Sequence, residues 1–260
     1  MRRTTMRTTR LFGLLLGVEA LPQIRLYTPR QALTRENVLT LSDGQRHYLF
    51  SVMRAKVGGK VALFNGEDGE WSAAIEALDK RRCELRVLEQ LREQPADVPS
   101  EPTLLFGVLK GARLPTLVEK AVELGVGSLR PVVTQHCAAR TLNVARLQSI
   151  ATEAAEQSRR LTVPDVSEPE PLEAALAAWD PSRPLCVCDE RGDAPPLSWL
   201  ATRGVLGDSP AVLVGPEGGF SPDEFEQLEA MACVTPVSLG PNTLRAETAA
   251  LAACAILACR

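Results

Sequence analysis

The stretch Leu-Val-Gly-Pro-Glu-Gly-Gly-Phe-Ser-Pro-Asp-Glu-Phe, residues 213–225, decides the fold class of this chain. It begins as an apolar strand, passes through a glycine-rich turn and continues as a helix. Ser221 is followed by Pro222, and Glu224 stands three positions after the serine. This is a capping box with proline at the first helical position, so the helix is predicted to begin at Pro222.

The glycines of this loop, Gly215, Gly218 and Gly219, have two interpretations. They supply positive φ angles in a tight turn, or they let a ligand approach the backbone closely. The loop is not a phosphate-binding loop, since no Gly-Lys-Ser/Thr follows, and it lacks the GxGxxG spacing of a dinucleotide fingerprint. Because open α/β sheets bind ligands at the carboxyl ends of their strands, we expect a ligand loop here.

A second stretch, Val-Ser-Leu-Gly-Pro-Asn-Thr-Leu-Arg-Ala-Glu-Thr-Ala-Ala-Leu at residues 237–251, repeats the order of strand, glycine turn and helix. Arg245, Glu247 and Thr248 stand at the predicted helix start, where polar residues are ordinary capping groups. An arginine in the first turn opposes the helix dipole by ~0.3–1 kcal/mol. We therefore expect Arg245 to have a partner outside its own helix.

Four apolar runs around these loops predict the rest of the C-terminal half. They occupy residues 103–109, 129–133, 185–188 and 211–214 and alternate with helical patterns, one of which places Leu114, Leu117 and Val118 on one face. Such runs are typical of parallel strands covered by helices on both faces. The C-terminal half is therefore predicted to be α/β.

The N-terminal half has a different pattern, with short apolar segments separated by turn signals. Residues 60–64 and 71–78 flank an Asn-Gly turn, and residues 83–88 add another alternating segment, which predicts a small β domain. Three prolines within residues 93–102 predict a linker. The expected organisation is a β domain over residues 25–92, this linker, and an α/β domain over residues 103–260.

Composition restricts the possible functions. The net charge of −3 argues against a polycation that coats nucleic acid, so any RNA contact must be local. The seven cysteines form no CxxC pair, and only His47 and His136 could join them as ligands. We therefore expect no metal site, and reduced, mostly buried thiols that suit a cytoplasmic protein.

The first residues, 1–24, differ from the rest of the chain. Four arginines precede an apolar run at residues 11–18, and no acid occurs before Glu19. A secretory signal, an organellar presequence and an over-extended start remain open as explanations. The run is too short to span a bilayer, and we expect no membrane partner. The segment is predicted to be a flexible, dispensable extension.

The two loop motifs together resemble the signature loops of the RsmE family within the SPOUT methyltransferases. The segments at residues 110–113, 119–126 and 153–158 are similar to other blocks of that family. The resemblance implies an α/β C-terminal domain with a trefoil knot, a PUA-like N-terminal β-barrel that binds RNA, and a homodimer whose interface completes each active site. It also implies methyl transfer from S-adenosylmethionine to N3 of a uridine in small-subunit (16S) ribosomal RNA, in the assembled subunit.

Site residues follow from the resemblance by motif. It places the cofactor mainly against loop backbone, at Gly215, Pro216, Glu217, Gly218, Gly219, Leu239, Gly240, Asn242 and Leu244. The local positive charge expected to contact RNA comes from Lys110, Arg113, Arg159 and Arg160, for which the alternative is ordinary solvated surface charge. Arg245 is the catalytic candidate, as a stabiliser of developing negative charge or a phosphate ligand, with Glu247 as its orienting partner.

Two departures from the family pattern are visible. Arg159 stands where the family commonly has glycine, and Ala246 stands where it commonly has threonine. No histidine lies in either loop, so the sequence assigns no general base. Two other functions remain open: a non-catalytic RNA-binding protein with a dimerisation domain, and a nucleotide-binding α/β enzyme. A methyltransferase should be stabilised by S-adenosylmethionine but not by ATP or NAD, which distinguishes it from these two alternatives.

Overall fold

The computed structural model describes Pro22 and residues 24–96, 101–192 and 194–259. Nearly all of the predicted N-terminal extension, residues 1–24, and the middle of the predicted linker, residues 97–100, lie outside the described residues. The described chain forms two sheets, one before and one after the linker.

The N-terminal sheet is a small β domain, as predicted. Its strands are β1 (Arg25–Tyr27), β2 (Val38–Thr40), β3 (Lys60–Phe64), β4 (Glu70–Leu78) and β5 (Cys83–Arg92). They lie in the order β1-β3-β4-β5-β2, with β1 parallel to β3 and the other neighbours antiparallel. Because β1 and β2 form the two edges of the described sheet, the domain is a half-barrel, which agrees with the small β-barrel domain that we predicted.

Two local features shape this domain. The predicted Asn-Gly hairpin joins β3 to β4, and the side chain of Asn65 accepts the amides of Glu67 and Asp68 at 2.9 and 2.8 Å. Between β2 and β3, helix α1 (Asp43–His47) begins at a capping box formed by Ser42 and Gln45 and continues into a π-helical turn, Tyr48–Val52.

The C-terminal sheet is parallel, which confirms the predicted α/β architecture. Its strands are β6 (Thr103–Gly107), β7 (Ser128–Val133), β8 (Asp165–Val166), β9 (Glu170–Pro171), β10 (Leu185–Cys188), β11 (Ala211–Val214) and β12 (Val234–Val237). Their order is β12-β10-β11-β6-β7-β8, and β9 also pairs with β7. The helices are α2 (Leu114–Glu123), α3 (Val144–Gln157), α4 (Leu172–Ala177), α5 (Leu197–Thr202), α6 (Pro222–Glu229) and α7 (Ala246–Ala258).

Helices cover both faces of this sheet because its central strands are apolar on both sides. Val212 and Val214 face a core shared with α2, α3, α5 and α7, whereas Leu213 faces a second core with α4 and α6. The register sets Cys188 opposite Val237 and Val187 opposite Leu213. The carboxyl ends of β10, β11 and β12 therefore lie side by side, and so do the loops that follow them.

The two domains meet at a buried joint centred on Arg25. Its guanidinium donates to the backbone carbonyls of Ala155, Glu156 and Arg160, the first two at the end of α3. Its Nε donates to Glu70, which also accepts from Arg92 at 2.7 Å. A cation at the carboxyl end of a helix complements unpaired carbonyls and the helix dipole. This joint fixes the β domain on the end of α3.

No helix in the described ranges combines the length and the apolar character needed to cross a membrane.

Candidate active site

A cavity of about 710 Å³ opens where the loops after β10, β11 and β12 converge. This volume is in the range of small-molecule sites. Most of the wall comes from residues 188–190, 192, 214–217, 219 and 238–246, and Arg113 and Ala249 complete it. The position at the carboxyl ends of parallel strands is the one expected for a ligand site in an open α/β sheet.

The loop after β11 forms one wall of the cavity, and glycines allow both its tight turn and its close packing against β6. The amide of Gly219 donates to the carbonyl of Pro216 at 2.9 Å, and Gly219 has a φ of +68°. Pro216 packs against Gly107 at the end of β6, where a Cβ would lie 2.5 Å from the proline ring. The predicted cofactor residues Gly215, Pro216, Glu217 and Gly219 all line the cavity.

Gly218 is the exception among the predicted cofactor residues, because the cavity wall does not include it. The Nδ1 of His136 lies 3.0 Å from the Gly218 carbonyl, which can only accept, so Nδ1–H donates. A Cβ on Gly218 would lie 2.9 Å from the His136 Cβ. Gly218 therefore packs closely against His136, and its assignment as a cofactor contact stays a prediction.

His136 lies on a short turn after β7 that supports the β11 loop from outside the cavity. The carboxylate of Glu224 holds this turn, since it accepts the amide of Gln135 at 2.7 Å and that of Ser221 at 2.8 Å. The capping box at Ser221 was thus predicted correctly, and Glu224 also binds a second loop. Sequence reasoning missed His136; its only signal was its place just beyond an apolar strand.

The loop after β12 forms the opposite wall. Gly240 has a φ of +124°, and its amide donates to the Ser238 hydroxyl at 3.2 Å. No heavy atom lies within 4 Å of a Cβ built on Gly240, so the glycine is required by its backbone angle and not by packing. The predicted cofactor residues of this loop, Leu239, Gly240, Asn242 and Leu244, all line the cavity.

Arg245 lines the cavity and is exposed. It is the N-cap residue of α7, one position before the first turn, and its side chain makes no capping bond. Within the described ranges its guanidinium has no hydrogen-bond or ion-pair partner, so the partner that we expected is not found among the described residues. Glu247 instead pairs with Arg113 at 3.2 Å. The prediction that Glu247 orients Arg245 was therefore wrong.

Three carboxylates also line the cavity: Asp189, Glu190 and Glu217. Hydrogen bonds from Arg191 hold the pKa of Asp189 below its ordinary value, so this carboxylate is ionised. A Cβ on Gly219 would lie 3.0 Å from an oxygen of Glu190. The sequence motifs did not indicate Asp189 or Glu190, although both follow the apolar run of β10.

The predicted RNA-binding residues separate into two groups. Lys110 lies beside the cavity, with its amide 3.5 Å from the Glu217 carboxylate, and Arg113 lies in the wall. Arg159 is exposed and has a φ of +60°. The side chain of Arg160, by contrast, is largely buried.

Arg160 is a structural residue. Its guanidinium donates to the carbonyls of Val122 and Val126, at 2.9 and 2.7 Å, near the end of α2, and it pairs with Glu101 at 2.7 Å. Only 10% of its side chain is exposed. The prediction that Arg160 contacts RNA was therefore wrong, because its charge is already neutralised inside the protein.

All seven cysteines are free thiols, and burial raises the pKa of Cys186 to about 11. In the part of the chain that the structure describes, no group of three or more His, Cys, Asp or Glu residues is arranged to hold a metal ion.

The fold and the cavity define a SPOUT-like α/β methyltransferase domain joined to a PUA-like half-barrel. Residues 96–258 match the RNA methyltransferase domain family, and residues 41–88 match the RNA methyltransferase PUA domain. The ribosomal RNA small subunit methyltransferase E of Rickettsia conorii is 34% identical over 89% of this chain and 93% of its own length. The chain belongs to this RsmE family of RNA methyltransferases.

Two solved structures are similar in fold. The ribosomal RNA small subunit methyltransferase E from Neisseria gonorrhoeae, bound to S-adenosylmethionine, superposes with a TM-score of 0.79 at 30% identity, over 91% of this chain and 96% of that one. A methyltransferase from Legionella pneumophila, in complex with the same cofactor, gives a TM-score of 0.75 at 26% identity, over 90% of this chain and 96% of its own.

Proposed function

We propose that the cavity between the β11 and β12 loops binds S-adenosylmethionine, and that the protein transfers its methyl group to N3 of a uridine in small-subunit ribosomal RNA. The observation that carries this proposal is the cavity itself. Both glycine motifs, separated in the sequence, contribute to its wall in a chain of the RsmE family. Two relatives of similar fold bind this cofactor.

The residues present fit such a ligand. Gly240 holds a backbone angle that side-chain residues rarely adopt and leaves open space around its Cα. Gly215, Gly219 and Leu239 line the cavity, where a ligand can approach the backbone closely. The carboxylates of Glu190 and Glu217 give the wall a negative character that suits a cationic ligand.

The bound cofactor supplies an electrophilic methyl group on a positively charged sulfur. The protein must hold the uridine so that N3 faces this methyl group, and must stabilise the negative charge that spreads to the pyrimidine oxygens as the N3 proton leaves. Arg245 is the proposed stabiliser, because it lines the cavity and no described group neutralises it. Glu247 acts on Arg113, which it holds at the cavity rim.

Lys110, Arg113 and Arg159 are the proposed RNA contacts of the C-terminal domain. The first two lie at the cavity, where the target uridine must enter. Arg159 lies next to the domain joint, where its carbonyl accepts from Arg92 at 2.9 Å. RNA that reaches the cavity across the joint would therefore contact both domains.

The domain organisation remains as proposed from the sequence: an N-terminal extension over residues 1–24, a PUA-like domain over residues 25–92, a linker over residues 93–102 and a SPOUT domain over residues 103–260. We further propose the trefoil knot, formed by the segments after β11 and β12 that lead into α7. A homodimer in the cytoplasm, acting on the assembled small subunit, completes the proposal.

Ligand-induced melting tests the cofactor assignment. S-adenosylmethionine and its demethylated product are expected to raise the melting temperature, whereas ATP and NAD are expected to leave it unchanged. Stabilisation by ATP or NAD alone would favour a nucleotide-binding enzyme. The absence of any ligand effect, together with intact RNA binding, would favour a non-catalytic RNA-binding protein.

A further inference from the structure

Arg191 lies in the loop after β10, but the cavity wall does not include it. Its neighbours Asp189, Glu190 and Gly192 all line the cavity. The Arg191 side chain is half-exposed, and it contacts both the carboxylate of Asp189 and helix α6. It therefore lies beside the cavity without reaching the space in which the cofactor is proposed to bind.

The carboxylate of Asp189 fixes Arg191 on its own loop. The Nε of Arg191 donates to Oδ1 of Asp189 at 2.9 Å, and its Nη2 donates to Oδ2 at 2.8 Å. A two-point pair of this kind fixes the orientation of the two groups as well as their distance. Only 8% of the Asp189 side chain is exposed, and the Asp189 amide donates to the carbonyl of Val237 at 2.9 Å. The β10 loop is thus held by β12 on one side and by Arg191 on the other.

The same guanidinium contacts two residues of α6. Its Nη2 donates to Glu229 at 2.7 Å, and its central carbon lies 3.8 Å from the centre of the Phe225 ring. Phe225 and Glu229 are four positions apart, so their side chains lie on one face of the helix. A guanidinium above an aromatic ring is attracted to its π face. Arg191 therefore joins the β10 loop to α6, the helix that follows the β11 loop.

The contact with Phe225 continues to the β11 wall of the cavity. The Phe225 ring packs edge-on against the ring of Phe220, with 5.4 Å between the ring centres, and both residues are buried. The Phe220 ring lies 3.1 Å from the position of a Cβ on Gly215, which lines the cavity. Arg191 is thus connected to two walls of the cavity, through Asp189 to the β10 loop and through two aromatic rings to the β11 loop.

We infer that Arg191 is a positioning residue for S-adenosylmethionine: it holds the β10 and β11 loops at the separation that the cofactor requires. The inference rests on the proposed function for the identity of the ligand. Exposed ion pairs contribute little to the stability of a folded protein, because solvent screens them. A loop that is already ordered, however, does not have to be ordered by the ligand, so the ligand binds more tightly. The contribution of Arg191 should therefore be found in cofactor affinity.

Isothermal titration with S-adenosylmethionine and with its demethylated product tests the inference. Arg191→Met keeps an unbranched apolar side chain but removes the guanidinium, and it should raise the Kd for both ligands by about 3–10-fold, the usual effect of having to order a side chain on binding. In steady-state methylation of small-subunit RNA, the KM for the cofactor should rise by a similar factor. The kcat at saturating cofactor should stay within about twofold of the wild-type value, because Arg191 lies outside the cavity wall.

Two further variants separate the contacts of Arg191. Arg191→Lys keeps the charge but loses the planar fork, so it should retain part of the affinity that Arg191→Met loses. Glu229→Gln weakens the contact with α6 but leaves the pair with Asp189, so it should raise the Kd less than Arg191→Met does. The effects of Arg191→Met and Glu229→Gln should be less than additive, because both changes remove the same contact.

Arg203→Met is the matched control. Arg203 also stacks on an aromatic ring, 4.0 Å from the centre of the Trp199 ring, but it does not line the cavity and is exposed. This variant should bind the cofactor like the wild type.

Equal cofactor affinity in Arg191→Met and the wild type would overturn the inference and leave the proposed function in place. A lower melting temperature of the cofactor-free variant with an unchanged Kd would also overturn it, since that is the result of a purely structural role. So would a fall in kcat with an unchanged KM, because Arg191 would then act on the reaction and not on cofactor binding. A wild-type protein that binds no S-adenosylmethionine would contradict the proposed function, and the inference with it.

Discussion

The guanidinium of Arg113 lies 3.2 Å from the carboxylate of Glu247, although 134 positions separate the two residues. Arg113 is the N-cap residue of α2, and Glu247 lies in the first turn of α7. The pair joins two helix starts at the cavity rim and places the carboxylate where the helix dipole favours it. Arg245, two positions before Glu247, remains free to act on a substrate.

Arg245→Ala is expected to lower kcat and kcat/KM together by roughly 10²–10³-fold, the usual effect of losing a group that stabilises transition-state charge. Cofactor affinity should not change. Arg245→Lys, which keeps the charge but loses the planar guanidinium, should retain part of the rate. Single-turnover methylation of small-subunit RNA measures these rates.

A different result would identify a different role for Arg245. If the alanine variant loses mainly RNA affinity, and the salt slope falls by about one ion, Arg245 binds a phosphate. A variant with wild-type rate and wild-type salt slope would eliminate both roles.

Gly240→Val is expected to abolish cofactor binding, because a φ of +124° is strained for any side-chain residue and Gly240 lies in the cavity wall. Such strain costs about 1–3 kcal/mol. Gly204→Val is a matched control, since Gly204 also has a positive φ and free space but does not line the cavity. Isothermal titration should show cofactor binding only in the control, and equal affinity in both variants would contradict the assignment of the β12 loop.

Gly218→Val should also weaken cofactor binding, but indirectly. A Cβ there would lie 2.9 Å from the Cβ of His136 and would displace the β11 loop. The double variant with His136→Gly, which removes the opposing Cβ, should recover part of the affinity. Without any recovery, the role that we assign to the contact between Gly218 and His136 would be wrong.

Features that depend on neighbouring residues were accessible from the sequence. The capping box of Ser221 and Glu224 located the start of α6 to the residue, because both partners lie within one helical turn. The apolar runs of β6, β7, β10 and β11 were recognisable because strands buried on both faces need no polar alternation. The turn at Asn65 was recognisable because its side chain accepts amides only two and three positions along the chain.

Contacts between distant segments were not accessible. Nothing in the local pattern distinguishes Arg159 from Arg160, yet the Arg159 side chain is exposed and the Arg160 side chain is largely buried beside the carbonyls of Val122 and Val126. The sequence could not show whether Glu247 pairs with Arg245 or with Arg113, because only the packing of α7 beside α2 brings Arg113 near Glu247. His136 reaches Gly218 for the same reason, across 82 positions.

Arg160→Ala is expected to lower the free energy of unfolding by roughly 2–4 kcal/mol, because it removes the ion-pair partner of Glu101 and leaves two carbonyls unpaired in a largely buried site. Arg159→Ala, at the neighbouring position, is the matched control. It should keep the stability of the wild type and reduce the salt slope of RNA binding by about one ion. Urea unfolding and filter binding measure the two effects, and the reverse pattern would refute the division of roles between these arginines.

Glu156 should make the domain joint sensitive to pH. Burial, the largest influence, raises its pKa from an ordinary value of 4.5 to about 7, although the Tyr27 amide and Arg25 act in the opposite direction. The folded protein therefore holds a proton that the unfolded chain releases between about pH 4.5 and pH 7. Stability from this group is present below that range and is lost as the pH rises through it.

Glu156→Gln cannot ionise and keeps an oxygen for the Tyr27 amide. Its melting temperature should exceed that of the wild type above about pH 7, and the difference should shrink as the pH falls towards 5. Glu168→Gln is the control, because Glu168 is exposed and is not among the groups that shift the pKa of Glu156. If the melting temperature of Glu156→Gln exceeds that of the wild type by the same amount at every pH, the carboxyl of Glu156 does not titrate in this range.

The central claim is methyl transfer at the cavity, and the most direct measurement uses tritium-labelled S-adenosylmethionine with small ribosomal subunits from cells that lack this gene. The account predicts that the wild-type protein transfers label to one uridine of the small-subunit RNA. Because N3 lies on the pairing edge of the base, the modified uridine should stop reverse transcription, and Gly240→Val should transfer no label. A wild-type protein that binds the cofactor but leaves small-subunit RNA unlabelled, or labels another base, would contradict the account.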